Sequence, residues 1–325
     1  MLSRRDVMMA LAAAGLPQAA GAQEAWPSRS VQMIVPFPPG GQADVTARPV
    51  AAALERVFGQ AVPVVNRSGA GGILGTSSVA RAAPDGYTAL MALSSHAVLP
   101  ESERIQNRTP AYTIEQFAPV ARITADPTVF LVAANAPWRS IEELVADAKK
   151  RPGAITFGSA GNYSTLHVAM AMFTGSAGID MLHVPYQGGG PALTALLSGT
   201  LHTLASGPGP ALAHVKEGRL RALASWGRER LPGFEDVPTF IELGHPEVEF
   251  YIWTAVFLPA ATPAPVRDRL RQALRQICES DEGLRRALDT AGSPIAYQEG
   301  AEFDRFFQQD SARLIRAVQR IGKVD

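Results

Sequence analysis

Apolar positions along the chain follow two alternating periods. Short runs such as "SVQMIVPF" (30–37), "AVPVVNR" (61–67) and "YTALMALS" (87–94) are nearly continuous in apolar residues, the pattern of strands buried on both faces. Between them, "ADVTARPVAAALERVFG" (43–59) and "GGILGTSSVARAA" (71–83) carry helical spacing. The first has Pro49 in its interior and the second stops at Pro84-Asp85-Gly86. This βαβαβ order predicts a parallel, doubly wound sheet.

The middle of the chain repeats the style. "DPTVFLVAA" (126–134) reads as a strand. "SIEELVADAKKRPG" (140–153) reads as a helix with Ser140 as N-cap and Glu143 completing a capping box. Strands at 154–161, 180–186, 201–206 and 219–226 alternate with helices at 164–178 and 190–199, and a short helix separates the last two strands. A loop-rich passage leads to a strand at 250–259 and two amphipathic helices, 264–280 and 299–322. The predicted fold class is α/β: two lobes, each with a doubly wound sheet, joined by a two-strand hinge near 120–124 and 249–258. A ligand cleft lies between the lobes, at strand C-ends. The expected division is 23–122 with 250–325 for lobe 1, and 123–249 for lobe 2.

Composition narrows the function. The chain has 325 residues, 46% hydrophobic and 18% charged, enough for two domains. Thirty basic residues balance thirty acidic ones, and no basic run occurs, so a nucleic-acid partner is not expected. The start, "MLSRRDVMMALAAAGLPQAAGAQ", has a basic head, a short apolar core and a small-residue end. It predicts a signal peptide over 1–22, cleaved after Ala22, and export to the periplasm. "SRRDVMM" is like a twin-arginine signal but lacks the Phe and Lys that usually follow, so either export route fits. The apolar core is too short to span a membrane, and no later segment reaches that length. Cys278 is the single cysteine, which excludes an internal disulfide and a cysteine-built metal site. No cofactor or metal is expected.

Four loops share one design, a strand ending in small residues just before a helix. They are "PFPPGGQAD" (36–44), "NRSGAGG" (66–72), "GSAGNYST" (158–165) and "PYQGGGPA" (185–192). Glycine permits close backbone approach, and unpaired N–H groups at a helix start, with the positive end of its dipole, suit a carboxylate. The bland reading is four sharp turns built from the usual residues. Asp44 is expected to cap its own helix and to pair with Arg48 one turn on. "GAGGILG" lacks the third glycine of a dinucleotide fingerprint, with Leu74 in its place, and no acidic strand end follows at the required distance. No G-x-S-x-G, H-E-x-x-H or P-loop occurs. An enzyme acting on a small acid would have to use Ser94, His96 or His167; His167 and His183 otherwise read as packed structural residues.

The stretches "WPSRSVQMIVPFPPGGQADVTAR", "VVNRSGAGGILGTSSVARAAPDGYT", "FGSAGNYSTLHVAMAMF", "HVPYQGGGPALTALLSG" and "DVPTFIELG" resemble the Bug family, the periplasmic receptors of tripartite tricarboxylate transporters. The resemblance runs from about Trp26 to the C-terminus. It implies a two-lobed, type II-like periplasmic-binding-protein fold that closes on one small organic acid and, as a monomer, hands it to membrane permease subunits. It also implies no enzymatic activity. By motif position it places Phe37, Gly40, Gly41 and Asp44 in the first binding loop, Asn66, Gly69 and Ala70 in the second, and Ser94 and Ser95 after the third strand. Ser159, Gly161, Thr165 and His167, then Pro185, Tyr186, Gly188 and Ser206, belong to the second lobe. Trp253 would wall the cleft. Two departures bear on the ligand. Thr203 and Ser206 stand where the family commonly has acids, and Tyr163 replaces a smaller residue, narrowing the cleft or offering an aromatic acid a stacking surface. A sensory receptor that reports to a signalling protein is the remaining alternative.

Overall fold

The computed structural model describes residues 26–324; the signal peptide and cleavage site expected from the sequence lie outside the described residues. The first apolar run becomes β1 (Gln32–Val35), followed by α1 (Gln42–Phe58), β2 (Val64–Asn66), α2 (Ile73–Ala80), β3 (Thr88–Leu93) and α3 (Leu99–Ile105). β1 pairs in parallel with both β2 and β3. Gly59 ends α1 in the left-handed conformation, φ 63°, which costs a glycine nothing. Pro49 is carried inside α1.

β4 (Phe117–Pro127) is longer than the expected crossing strand. The chain leaves the first sheet at Thr128 and enters the second with β5 (Val129–Ala133). There follow α4 (Ile141–Lys150), β6 (Thr156–Ser159), α5 (Thr165–Ala177), β7 (Leu182–Pro185), α6 (Gly189–Leu197), β8 (Thr203–Ser206), α7 (Pro208–Lys216) and β9 (Leu220–Ser225). Ser140 caps α4 and Glu143 reaches back to the Arg139 N–H, close to the expected capping box. The return strand β10 (Tyr251–Pro259) precedes α8 (Ala264–Ser280), α9 (Glu282–Thr290), β11 (Ile295–Glu299) and α10 (Gly300–Ile321).

The six-stranded first sheet has the order β11-β4-β10-β3-β1-β2, and the five-stranded second sheet β7-β6-β8-β5-β9. Both are mixed rather than wholly parallel. β10 runs antiparallel to β3 and β4, and β5 antiparallel to β8 and β9. These reversals follow from the crossings: the chain enters the second sheet one strand in from its edge and re-enters the first between two strands already made. β10 is thereby covered on both faces, and Ile252 to Leu258 are all buried.

Trp253 belongs to this core and does not wall the cleft. It is fully buried, donates its indole N–H to Asp310 on α10 at 2.8 Å, and packs edge-on to Phe307. Cys278 is buried in α8, and desolvation pushes its thiol up to about 12, consistent with an inert packing residue. Among the described residues no helix is long and apolar enough to cross a membrane.

Candidate functional site

The four glycine loops meet. Pro38 to Gln42, before and at the start of α1, face the turns before α6 and α7 in the second sheet. A Cβ added at Gly188 would stand 2.4 Å from Pro38 Cδ, and one at Gly161 would stand 3.1 Å from Gly71 Cα. A Cβ cannot be accommodated at the first distance and would be unusually tight at the second, so these glycines let the two lobes touch. The space these loops enclose is about 20 Å³, room for little more than one water.

The starts of four helices surround that space. Gly41, Gln42 and Ala43 come from α1, Thr165 and Leu166 from α5, Gly189 from α6, and Gly207 precedes α7. Phe37, Leu93, Ala160, Ser206, Pro210 and Ile252 complete the wall. No charged side chain lines it. Each helix start carries a partial positive charge and unpaired N–H groups, so the wall favours an anion without holding a cation. The cation one turn into α1 is engaged elsewhere. Arg48 pairs with Asp44 at 2.8 Å, as the spacing predicts. Burial alone would raise the Asp44 pKa, but Arg48, Asn66 and the Gly40 N–H together hold it below the usual carboxylate range.

Of the residues placed by resemblance, Phe37, Gly41, Thr165 and Ser206 line the space directly. Asp44 and Asn66 stand behind it as a brace. Asp44 accepts the Gly40 N–H at 3.1 Å, and the Asn66 amide donates to Asp44 and to the Phe37 carbonyl, both at 2.9 Å. Gly40, Gly69 and Ala70 supply positive-φ turns at 82°, 141° and 48°. Ser94 and Ser95 are buried beside Thr165 in a pocket with no free volume. Gly161 and Gly188 shape the lobe contact, the Tyr186 carbonyl lies beside Gly161, and Pro185 is exposed at the end of β7.

Three residues have other tasks. The Ser159 hydroxyl is fully buried and bonded to His183 Nε2 at 2.7 Å and to Gly161, so it organises its own turn. His167 accepts the Tyr163 N–H on Nδ1 at 2.9 Å and stacks on His183 with centroids 4.0 Å apart. Burial, then the neighbouring His183, pushes it down to about 3, so it is neutral. Tyr163 neither narrows the cleft nor offers a stacking face. Its ring is buried, its hydroxyl donates to the Gly322 carbonyl at 2.8 Å and accepts the Val324 N–H, and the C-terminal tail is thus fastened to lobe 2.

Sequence reasoning missed Gln42, Leu166 and Ile252 as wall residues, and also Gly207. Gln42 sat inside a quoted loop, but a lone glutamine there carries no pattern.

A family described as "Tripartite tricarboxylate transporter family receptor" matches residues 46–323. The chain belongs to this family. The receptor is 36% identical to Protein BugT of Bordetella pertussis, with 88% of its own length and 87% of BugT covered. Its fold matches the solved structure of periplasmic binding protein BugD with a TM-score of 0.85 at 27% identity, covering 91% of the receptor and 98% of BugD. It also matches MatC from Rhodopseudomonas palustris, solved with bound malate, at TM-score 0.83 and 28% identity, covering 90% of the receptor and all of MatC. The two-lobed periplasmic-binding-protein fold follows from these matches and from the two sheets.

Proposed function

We propose that the protein is a periplasmic solute-binding receptor that captures a small organic acid between its lobes. It delivers that acid to the permease subunits of a tripartite tricarboxylate-type transporter. One observation carries the ligand class: four helix N-termini converge on a wall with no charged side chain. The malate bound by MatC is a carboxylate of the size such a cleft encloses once the lobes part. Binding between two lobes favours closure only if the ligand touches both, which this wall provides. The basic head and small-residue end of residues 1–22 support export, and family membership supports the permease as partner. We take the lobes to be residues 23–122 with 250–325 and residues 123–249, with the crossing itself at Thr128 because β4 stays in the first sheet as far as Pro127, acting as a monomer.

No catalytic arrangement supports an enzyme. The Ser94 hydroxyl and both His96 nitrogens have no hydrogen-bond partner among the described residues, and His167 spends Nδ1 on its own turn. Among the described residues no cluster of His, Cys, Asp or Glu is placed to hold a metal. Thermal unfolding against C4 to C6 dicarboxylates, citrate, aromatic acids and neutral amides tests the reading. A carboxylate at a hundred times its Kd should stabilise by about 2.7 kcal/mol and be recovered unchanged. Stabilisation by neutral amides alone, or conversion of the compound, would sink it.

A further inference from the structure

The wall residue Gln42 makes contacts that a ligand donor does not need. Its carboxamide oxygen accepts the Gly209 N–H of α7 at 3.2 Å, from across the cleft. That helix start has no side-chain cap of its own, and Pro208 has no N–H to offer. On the other side, Nε2 donates to Asp126 Oδ2 at 3.1 Å and to Ser293 Oγ at 2.8 Å. Ser293 in turn donates to Asp126. Asp126 is 1% exposed and sits near the end of β4, two residues before the chain crosses to the second sheet.

The socket is shaped for this side chain. A Cβ at Gly207 would stand 2.4 Å from Gln42 Oε1, and one at Gly209 would stand 2.9 Å from it. Both positions are glycine, so the amide enters a notch that any other residue would fill. One side chain of lobe 1 therefore joins a hinge carboxylate to a helix of lobe 2.

We propose that Gln42 is the closure latch of this receptor, a positioning residue that ties Asp126 to the α7 N-terminus and sets how readily the lobes close. The inference rests on the receptor reading for its purpose, but its test needs no ligand. Spin labels at Ala52→Cys and Lys149→Cys, exposed positions on α1 and α4, report the distance between lobes in buffer alone. Cys278 is buried and stays unlabelled.

The unsubstituted chain should sample a short separation. Gln42→Leu removes both arms of the latch and should lower the closed fraction about five- to tenfold. Recorded at pH 8.5, where Asp126 is ionised, Gln42→Glu sets a second carboxylate against it and should open the lobes as far or further. Adding Asp126→Asn restores a carboxylate–amide pair in reversed order, and the short separation should return. A space-filling role for Gln42 does not foresee that return. Distance distributions unchanged in both single variants would overturn the proposal, as would a doubly substituted protein that stays open while folded by circular dichroism. A parent chain that never samples the short separation would overturn it as well. Failure of the carboxylate panel with these distances as expected would remove the ligand class and leave the latch.

Discussion

Gly190, the second residue of α6, lies against the Pro39 carbonyl of the other lobe: a Cβ there would stand 2.7 Å from that oxygen. Its backbone is helical, so alanine would otherwise be welcome and even favourable by up to about 1 kcal/mol. The two effects act in different states. Gly190→Ala should leave the melting temperature of the unliganded protein unchanged or slightly raised, because the lobes relieve the clash by parting. Closure should become harder by about 1–3 kcal/mol, which lowers carboxylate affinity about five- to 150-fold. Calorimetric titration with the best carboxylate of the panel, beside a melting curve, checks both halves. Lost stability with intact affinity would show that Gly190 serves only α6.

The first loop is held by Asp44 more than by its glycines. Its buried carboxylate accepts from Gly40, Arg48 and Asn66. Asp44→Ala should cost about 2–4 kcal/mol in stability, because a buried charge-assisted network loses its centre. Arg48→Ala should cost far less, since Arg48 is half exposed. Chemical denaturation of the two variants measures the difference, and equal losses would contradict it.

Much of this was legible in the chain. The strand–glycine–helix loops announced themselves, because a turn that must let backbones touch has few residue choices. Asp44–Arg48 followed from helical spacing. What was illegible depends on the far side of a contact. Nothing near Gln42 says that two glycines more than 160 residues away leave it a notch. Trp253 read as a cleft wall because it sits on a crossing strand, but an antiparallel strand inserted between β3 and β4 is covered on both faces. Tyr163 read as a ligand surface because it lies in a binding loop, yet the C-terminal tail claims its hydroxyl. The short β11 and α9 carry too few periods to stand out.

Tyr163 offers a direct check on that last assignment. Tyr163→Phe keeps the buried ring and removes only the bonds to Gly322 and Val324. It should cost about 1–2 kcal/mol in stability. Affinity for the panel's best ligand should change less than threefold, whether that ligand is aromatic or aliphatic. A loss of affinity confined to aromatic acids would return Tyr163 to the cleft.

Stability against pH should reveal the buried imidazoles. His96 is stacked on Tyr112, edge-on to Phe117, and without a partner on either nitrogen; burial pushes it down to about 3. His167 is likewise held near 3. The unfolded chain takes up these protons below its ordinary value of 6.5 while the folded chain does not, so stability is lost as pH falls from 6.5 toward 3. His183, pushed down to about 4, adds in the same direction. Asp126 opposes them. Burial raises its carboxyl to about 7 against 3.8 for the ordinary group, so the folded chain takes that proton first and gains stability as pH falls from 7 to 3.8. Between pH 6 and 4.5 the imidazoles outnumber the carboxyl, and stability should fall by at least about 1.4 kcal/mol per pH unit from these groups. His96→Phe puts an apolar ring into an aromatic cage and deletes one of the titrating groups. It should flatten the slope in that window by about one proton and leave carboxylate binding at pH 7.5 intact. Urea unfolding at four pH values measures the slope. An unchanged slope in the His96→Phe protein would mean that the ring is protonated or hydrated in the folded state, and lost binding at pH 7.5 would give His96 a role in the cleft.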